Sequence, residues 1–349
     1  MPSQVYVGAS ARTGGSISGV FRRPANDGAW THLTTGLPAE THAHAITVHP
    51  GDPAVVFAAT PAGLFRSLDR GARWHCLIAA EGREQFWSVL VHPADHRVIL
   101  AGTAPLGLHR SDDGGDTWRR MPRPAIAERM VGAFPARIMR LSVSPSRPDE
   151  IYAGMEVNGA MRSDDGGESW VDCSDPLVRF SQQPDFASAI LTKDPAEGML
   201  DVHAICAAPA EPGTAFLALR MGLFRTRDRG ETWQDLGIGQ HAADLRYGRD
   251  IVASPQDPRV MYACVADASR GRAGRLYRSQ DSGGTWAQFD HSVTVQSTMM
   301  AVAPDPRDAA SVHCVTRRGQ SLSTLDGGES WRDFPLPADC GAAVAIACG

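Results

Sequence analysis

No stretch of the 349-residue chain approaches the roughly 18 consecutive apolar residues that a membrane helix needs, so no helical span is expected. Positive charge is not in excess either. The formal net charge is −5, and neither nucleic acid nor an anionic membrane is expected as a partner. The one dense basic run, SRGRAGR at 269–275, is short and broken by glycine, and reads as a solvated loop. The opening MPSQVYVGAS lacks a basic segment leading into an apolar one, so no secretory leader is expected. The seven cysteines (Cys76, Cys173, Cys206, Cys264, Cys314, Cys340 and Cys348) form no CxxC or other metal-ligand spacing. An odd number spread through apolar runs reads as reduced, buried thiols, and the expected location is the cytoplasm. With 43% hydrophobic and 21% charged residues, the composition is that of a soluble chain with a sizeable core.

What the chain does have is a repeat. SLDRGARW (67–74), SDDGGDTW (111–118), SDDGGESW (163–170), TRDRGETW (226–233), SQDSGGTW (279–286) and TLDGGESW (324–331) share the pattern S/T-x-D-x-G-x-x-W. A degraded seventh copy, RPANDGAW, ends at Trp30, and successive tryptophans lie 44, 44, 52, 63, 53 and 45 residues apart. The flanks repeat as well: AITVHPGDPAVVFAATPAGLFRS (45–67) matches SVLVHPADHRVILAGTAPLGLHRS (88–111). Each unit is an apolar run, a Pro/Asp turn, a second apolar run, a Gly-led third run, the box and a short final segment. Short apolar runs between Pro, Gly and Asp predict strands in hairpins. Four strands per unit at this period predict a β-propeller blade.

The box then spans the hairpin between third and fourth strands, where Ser, Thr or Asp side chains bond local amides and Gly takes a conformation closed to other residues. On these six copies the chain resembles the Asp-box, or BNR-repeat, proteins: sialidases, sortilin-type receptors, xyloglucan-degrading glycosidases and photosystem assembly factors. The resemblance implies that the box is structural and lies on the face away from the ligand site, so its carboxylates are poor catalytic candidates. The fold class is all-β: one seven-bladed propeller over 1–349, with blades ending near residues 35, 78, 122, 174, 237, 290 and 337. The first unit lacks a first strand, and AAVAIACG (342–349) supplies one. Pairing the two closes the ring and removes an exposed edge.

The opposite face carries the candidate site. Counting back from the proline that ends each first strand gives His42 and His44, Gln85 and Trp87, Arg137 and Met139, Asp201 and His203, Tyr247 and Arg249, then Gln296 and Thr298. Arg140 and Asp250 hold the next position in their units, and the second-strand ends add Glu156, Arg220, Asp267 and Arg317, with Arg12 in the first-blade loop. This ring of polar and aromatic groups predicts a small-ligand pocket at one mouth of the central channel. His44, His203, Asp201 and Glu156 are the catalytic candidates. Arg137, Arg140, Arg220, Tyr247, Arg249, Trp87 and Arg317 are the substrate-binding ones, the arginines favouring an anionic group. His42, His44 and His203 are the candidate ligands of a divalent metal ion.

Three function classes stay open: a hydrolase or lyase acting on a small anionic or sugar-like substrate, a non-catalytic binding or assembly propeller, and a glycosidase. Sialidase activity is not expected. FRRP (21–24) resembles the sialidase Phe/Tyr-Arg-Ile-Pro motif, but it aligns with GLFRSL of the next blade, an ordinary third strand aimed at the wrong end. Two insertions, 122–138 and 174–200, connect blades on the proposed functional face, and LVRFSQQPDFASAIL is the stretch expected to hold a helical turn or two over the mouth.

Overall fold

The computed structural model describes residues 2–11, 17–130, 134–238 and 245–349. Seven four-stranded antiparallel sheets form a ring, a seven-bladed β-propeller. Their outermost strands end at Leu33, Ala79, Arg120, Asp172, Asp235, Gln288 and Asp333, close to the boundaries the repeat predicts. Blade 1 is composite: the strand Ala342–Cys348 pairs antiparallel with Gln4–Ser10, Val5 opposite Cys348, and becomes the blade's innermost strand. The C-terminal strand thus covers the edge that Gln4–Ser10 would otherwise expose and gives the blade its fourth strand. Among the described residues no helix is long and apolar enough to cross a membrane.

All six boxes fold alike. In the first, the Ser67 hydroxyl donates to Asp69 Oδ1 (2.8 Å), the Gly71 amide donates to Ser67 Oγ (2.7 Å), and the Arg73 amide donates to Asp69 Oδ1 (2.8 Å). The same three bonds recur around Asp113, Asp165, Asp228, Asp281 and Asp326. Bonds from the Ser330 hydroxyl and amide hold Asp326 down to about 2, so it carries no proton to donate near neutral pH. The box tryptophan packs against the preceding blade: Trp74 joins Tyr6, Val20 and Leu33 of blade 1. Trp170 joins Leu108 and Met121 of blade 3. Each repeat thus contributes both a hairpin clasp and part of the next inter-blade core.

None of the seven cysteines is in a disulfide. Cys76 lies on an outer strand and is exposed, unlike the buried thiol its apolar neighbours suggest. The insertion 174–200 folds as helix α1 (Asp175–Phe180), a 3-10 turn (Pro184–Phe186) and helix α2 (Glu197–Leu200). Leu177, Met199 and Leu200 anchor it in the core between blades 4 and 5.

Candidate functional site

Because strands alternate in direction, the start of each innermost strand and the end of each second strand meet at the end of the blade opposite its box. In six innermost strands one residue is bulged out of register there: Trp87, Met139, His203, Arg249, Met300 and Val344. His44 stands at the corresponding place in blade 2, just before the paired run from Ala45. A bulge re-aims a side chain and interrupts pairing, a feature common beside functional sites. Six of these seven residues line the central channel, which narrows to a space of about 60 Å³. In blade 7 the sequence count started from Pro304, but Pro306 sets the register. Met300 therefore faces the channel, whereas Thr298 is buried and donates its hydroxyl to the Ala268 carbonyl (2.7 Å).

Above the channel lies a cavity of about 420 Å³, within the range of small-molecule sites. Eight predicted residues converge on it: Trp87, Arg137, Glu156, Asp201, Arg220, Tyr247, Arg249 and Arg317. In its lining five arginines face three carboxylates, a local cationic excess inside a net-negative chain. Phe134 and the lip Ile190–Leu191 add apolar walls that pattern reading did not single out. Leu191 is 60% exposed, and its loop is held from below by Glu197, whose buried carboxylate accepts the amides of Ile190, Leu191 and Thr192. Ser269 and Arg270, read from sequence as part of a solvated loop, also reach this cavity.

On one side of the cavity Asp201, His203, Arg220 and Tyr247 form a hydrogen-bonded group. His203 Nδ1 lies 2.7 Å from the Gly248 carbonyl, which only an N–H can satisfy, so Nδ1 holds the proton and Nε2 is left to the Tyr247 hydroxyl at 3.0 Å. Asp201 Oδ2 lies 3.5 Å from the same Nε2 and accepts from Arg220 Nε at 2.9 Å. Burial opposes the charge on Asp201, but Arg220, joined by His203 when its ring is protonated, outweighs it and holds the carboxyl well below the usual range. Asp201 Oδ1 is buried with no partner among the described residues. Burial pushes the Tyr247 phenol up, so it remains protonated.

On the other side the rings stack. Arg137 lies 4.1 Å from the Phe134 ring centre and 4.0 Å from that of Trp87, and His44 stacks on Trp87 at 3.7 Å. Arg137 also forms an ion pair with Glu156. This guanidinium is fixed by a carboxylate and two rings and serves as a wall more than as a free anion hook. Burial, with His42 and Arg137 nearby, presses His44 down to about 4 despite its bond to the Phe86 carbonyl.

Several candidates do not converge as the sequence suggested. His42 bonds the Ser10 hydroxyl (3.2 Å) and, with His44, lines a neighbouring cavity across Trp87. His44 and His203 both line the channel, but among the described residues no set of metal-donor atoms within 4.8 Å unites the three histidines. The donors that do lie within 4.8 Å of one another are Glu156, Asp201 and His203. Both of those carboxylates already bind arginines, which disfavours a cation there. Arg140 sits lower, in the channel, paired with the buried Asp250 at 2.8 Å. Asp267 accepts amides of its own turn from Ala268 and Arg272. Arg12 lies outside the described residues. Arg23 of the FRRP run is fully buried far from the cavity, with its guanidinium 4.0 Å from the Phe334 ring centre.

No protein-family model matches the chain. A xyloglucanase of a Paenibacillus species is 27% identical over 173 residues, covering 46% of this chain and 15% of that protein. The chain spans between 15% and 39% of the length of the curated xyloglucanases it matches. Among solved structures, the GH74 xyloglucanase from Xanthomonas campestris superposes with a TM-score of 0.63 at 20% identity, over 98% of this chain and 52% of that one. YCF48 bound to D1 peptide superposes with a TM-score of 0.57 at 15% identity, over 93% and 87%. The chain is thus similar in sequence to part of the xyloglucanases and shares the propeller fold of both structures.

Proposed function

We propose that this chain is an Asp-box propeller that hydrolyses a glycosidic bond in a small saccharide bearing an anionic group, bound in the mouth cavity. One observation carries the reading: the Tyr247–His203–Asp201 hydrogen-bonded group opens onto a cavity rich in arginine. In the proposed step a water molecule passes a proton to Tyr247 Oη while the phenolic proton moves to His203 Nε2. The imidazolium keeps its Nδ1 proton on the Gly248 carbonyl and is stabilised by the ionised Asp201. The water oxygen bonds to the anomeric carbon as the glycosidic C–O bond breaks. The proton stored on His203 then returns through Tyr247 to the departing oxygen, restoring both groups. Arg249 and Arg270 are the anion-binding groups, being cavity cations with no carboxylate partner among the described residues. The xyloglucanase relatives support glycoside hydrolysis over elimination by a lyase, and seven cysteines outside any disulfide fit a cytoplasmic setting.

The test is a panel of chromogenic uronides, neutral glycosides and xyloglucan oligosaccharides. Turnover is expected to favour the anionic members, and Tyr247→Phe is expected to lower the kcat of the folded protein about a hundredfold while costing about 1–3 kcal/mol of stability, because the buried His203 Nε2 loses its hydroxyl partner. No turnover on the whole panel, or a fully active Tyr247→Phe, would overturn the reading. A second reading, a non-catalytic binding propeller, is favoured by the arginine already seated on each of Glu156 and Asp201. Saturable binding without turnover would select it.

A further inference from the structure

A second group of metal-binding donors lies at the other end of the blades, on the seam where the last strand closes the ring. Asp305 follows the innermost strand of blade 7, His313 lies near the start of the next strand, and Cys348 ends the innermost strand of blade 1. One ligand atom from each lies within 4.8 Å of the other two. His313 is fully buried, its Nδ1 lies 2.8 Å from Ser323 Oγ, and its Nε2 has no partner among the described residues. A buried ring nitrogen without a partner is costly, and one whose other nitrogen is fixed by a hydroxyl has the arrangement of a metal ligand with its outer support.

We propose that Asp305, His313 and Cys348 form a zinc site that staples blade 7 to the ring-closing strand. A thiolate, an imidazole and a carboxylate are a donor set that suits Zn²⁺, and three protein ligands leave a fourth position open to water. Asp305 is pre-set for the role: the Ser3 hydroxyl and the Arg307 amide both donate to Oδ1 (each 2.9 Å). Burial, with Arg23 nearby, presses His313 down to about 3, so the ring stays neutral as ligation requires. Burial and the adjacent Asp305 push the Cys348 thiol up, so it holds its proton until a cation displaces it to solvent. Arg23 stands behind the site, its guanidinium donating to Ser323 Oγ at 2.5 Å. The two anionic ligands offset the zinc charge, leaving Arg23 in the outer layer.

The inference is independent of the proposed activity. Protein stripped with chelator and dialysed is titrated with Co(II), which takes zinc sites and reports thiolate ligation by a charge-transfer band. The expected result is a band that saturates at one ion per chain and is displaced by Zn(II). It is expected to be absent in Cys348→Ser, present in the exposed-thiol control Cys76→Ser, and to need at least tenfold more Co(II) in Asp305→Asn. His313→Gln is expected to lose the band too, but it also replaces a fully buried ring of the core, so the other variants carry the decision. No band in the wild-type chain, or one that survives Cys348→Ser, overturns the proposal.

Discussion

The box hairpins and the channel mouth are opposite ends of the same strands, yet they are built on opposite plans. At the box end, six hairpins repeat one set of bonds, and each tryptophan fills the space beside the preceding blade. At the mouth, the corresponding bulge position is filled by His44, Trp87, Met139, His203, Arg249, Met300 and Val344 around the ring. A repeat that must only pack can be copied. A pocket that must recognise an asymmetric ligand needs a different side chain from each blade. Repetition therefore marks the structural end of this molecule, and its breakdown marks the end where we place the proposed site.

The largest test of that contrast is Trp170→Ala. The ring is 9% exposed within the core between blades 3 and 4, so its loss is expected to cost about 3–5 kcal/mol in denaturant unfolding. The catalytic constants of the protein that remains folded should stay within about twofold. Tyr247→Phe is the mirror case, with a large loss of rate and a smaller loss of stability than Trp170→Ala. If Trp170→Ala lowered kcat as much as Tyr247→Phe does, the division between the ends would fail.

A smaller effect separates the ends by pH. His44 is depressed to about 4 when folded, whereas in the unfolded chain it titrates near its ordinary value of about 6.5. The unfolded state therefore binds the proton first, and this contribution to stability is lost as pH falls from about 6.5 to about 4, by a few kcal/mol at most. Box carboxylates act in a lower window. Asp326, held at about 2, has its stabilising effect above about 4 and loses it as pH falls towards 2. His313 at the seam also titrates in the upper window, so the measurement is a difference. His44→Asn should flatten the decline of the unfolding midpoint between pH 6.5 and 4 and leave the decline below pH 4 intact. An unchanged upper limb would show that His44 is not held neutral by the fold.

Most of the fold was legible because it is periodic. Fixed spacing from Ser/Thr to Asp, Gly and Trp declared the hairpins, and the unmatched final run AAVAIACG declared the closure. The mouth was legible only as far as the register could be counted. The proline rule found Trp87, Arg137, Asp201, Tyr247 and Arg249, and it slipped by two residues where two prolines compete at 304 and 306. Phe134, Ile190 and Leu191 belong to insertions, which have no repeat to align against, so no count could place them in the cavity. Arg270 looked like part of a basic loop because its neighbours are charged, but it lies in the turn between the second and third strands of blade 6, Met261–Ala266 and Gly274–Ser279, which is at the mouth end. The three histidines shared a face in sequence, but His42 bonds Ser10, His44 the Phe86 carbonyl and His203 the Gly248 carbonyl, so their rings are held by separate partners.

The central claim is that the mouth, and not the box end, recognises an anionic sugar, and calorimetric titration of glucuronate against glucose tests it most directly. The wild-type chain should bind glucuronate and not glucose at the same concentrations. Arg249→Gln should weaken glucuronate about tenfold, as losing one charge-assisted bond implies. Equal binding of the two sugars, or glucuronate binding untouched by Arg249→Gln, would contradict the account.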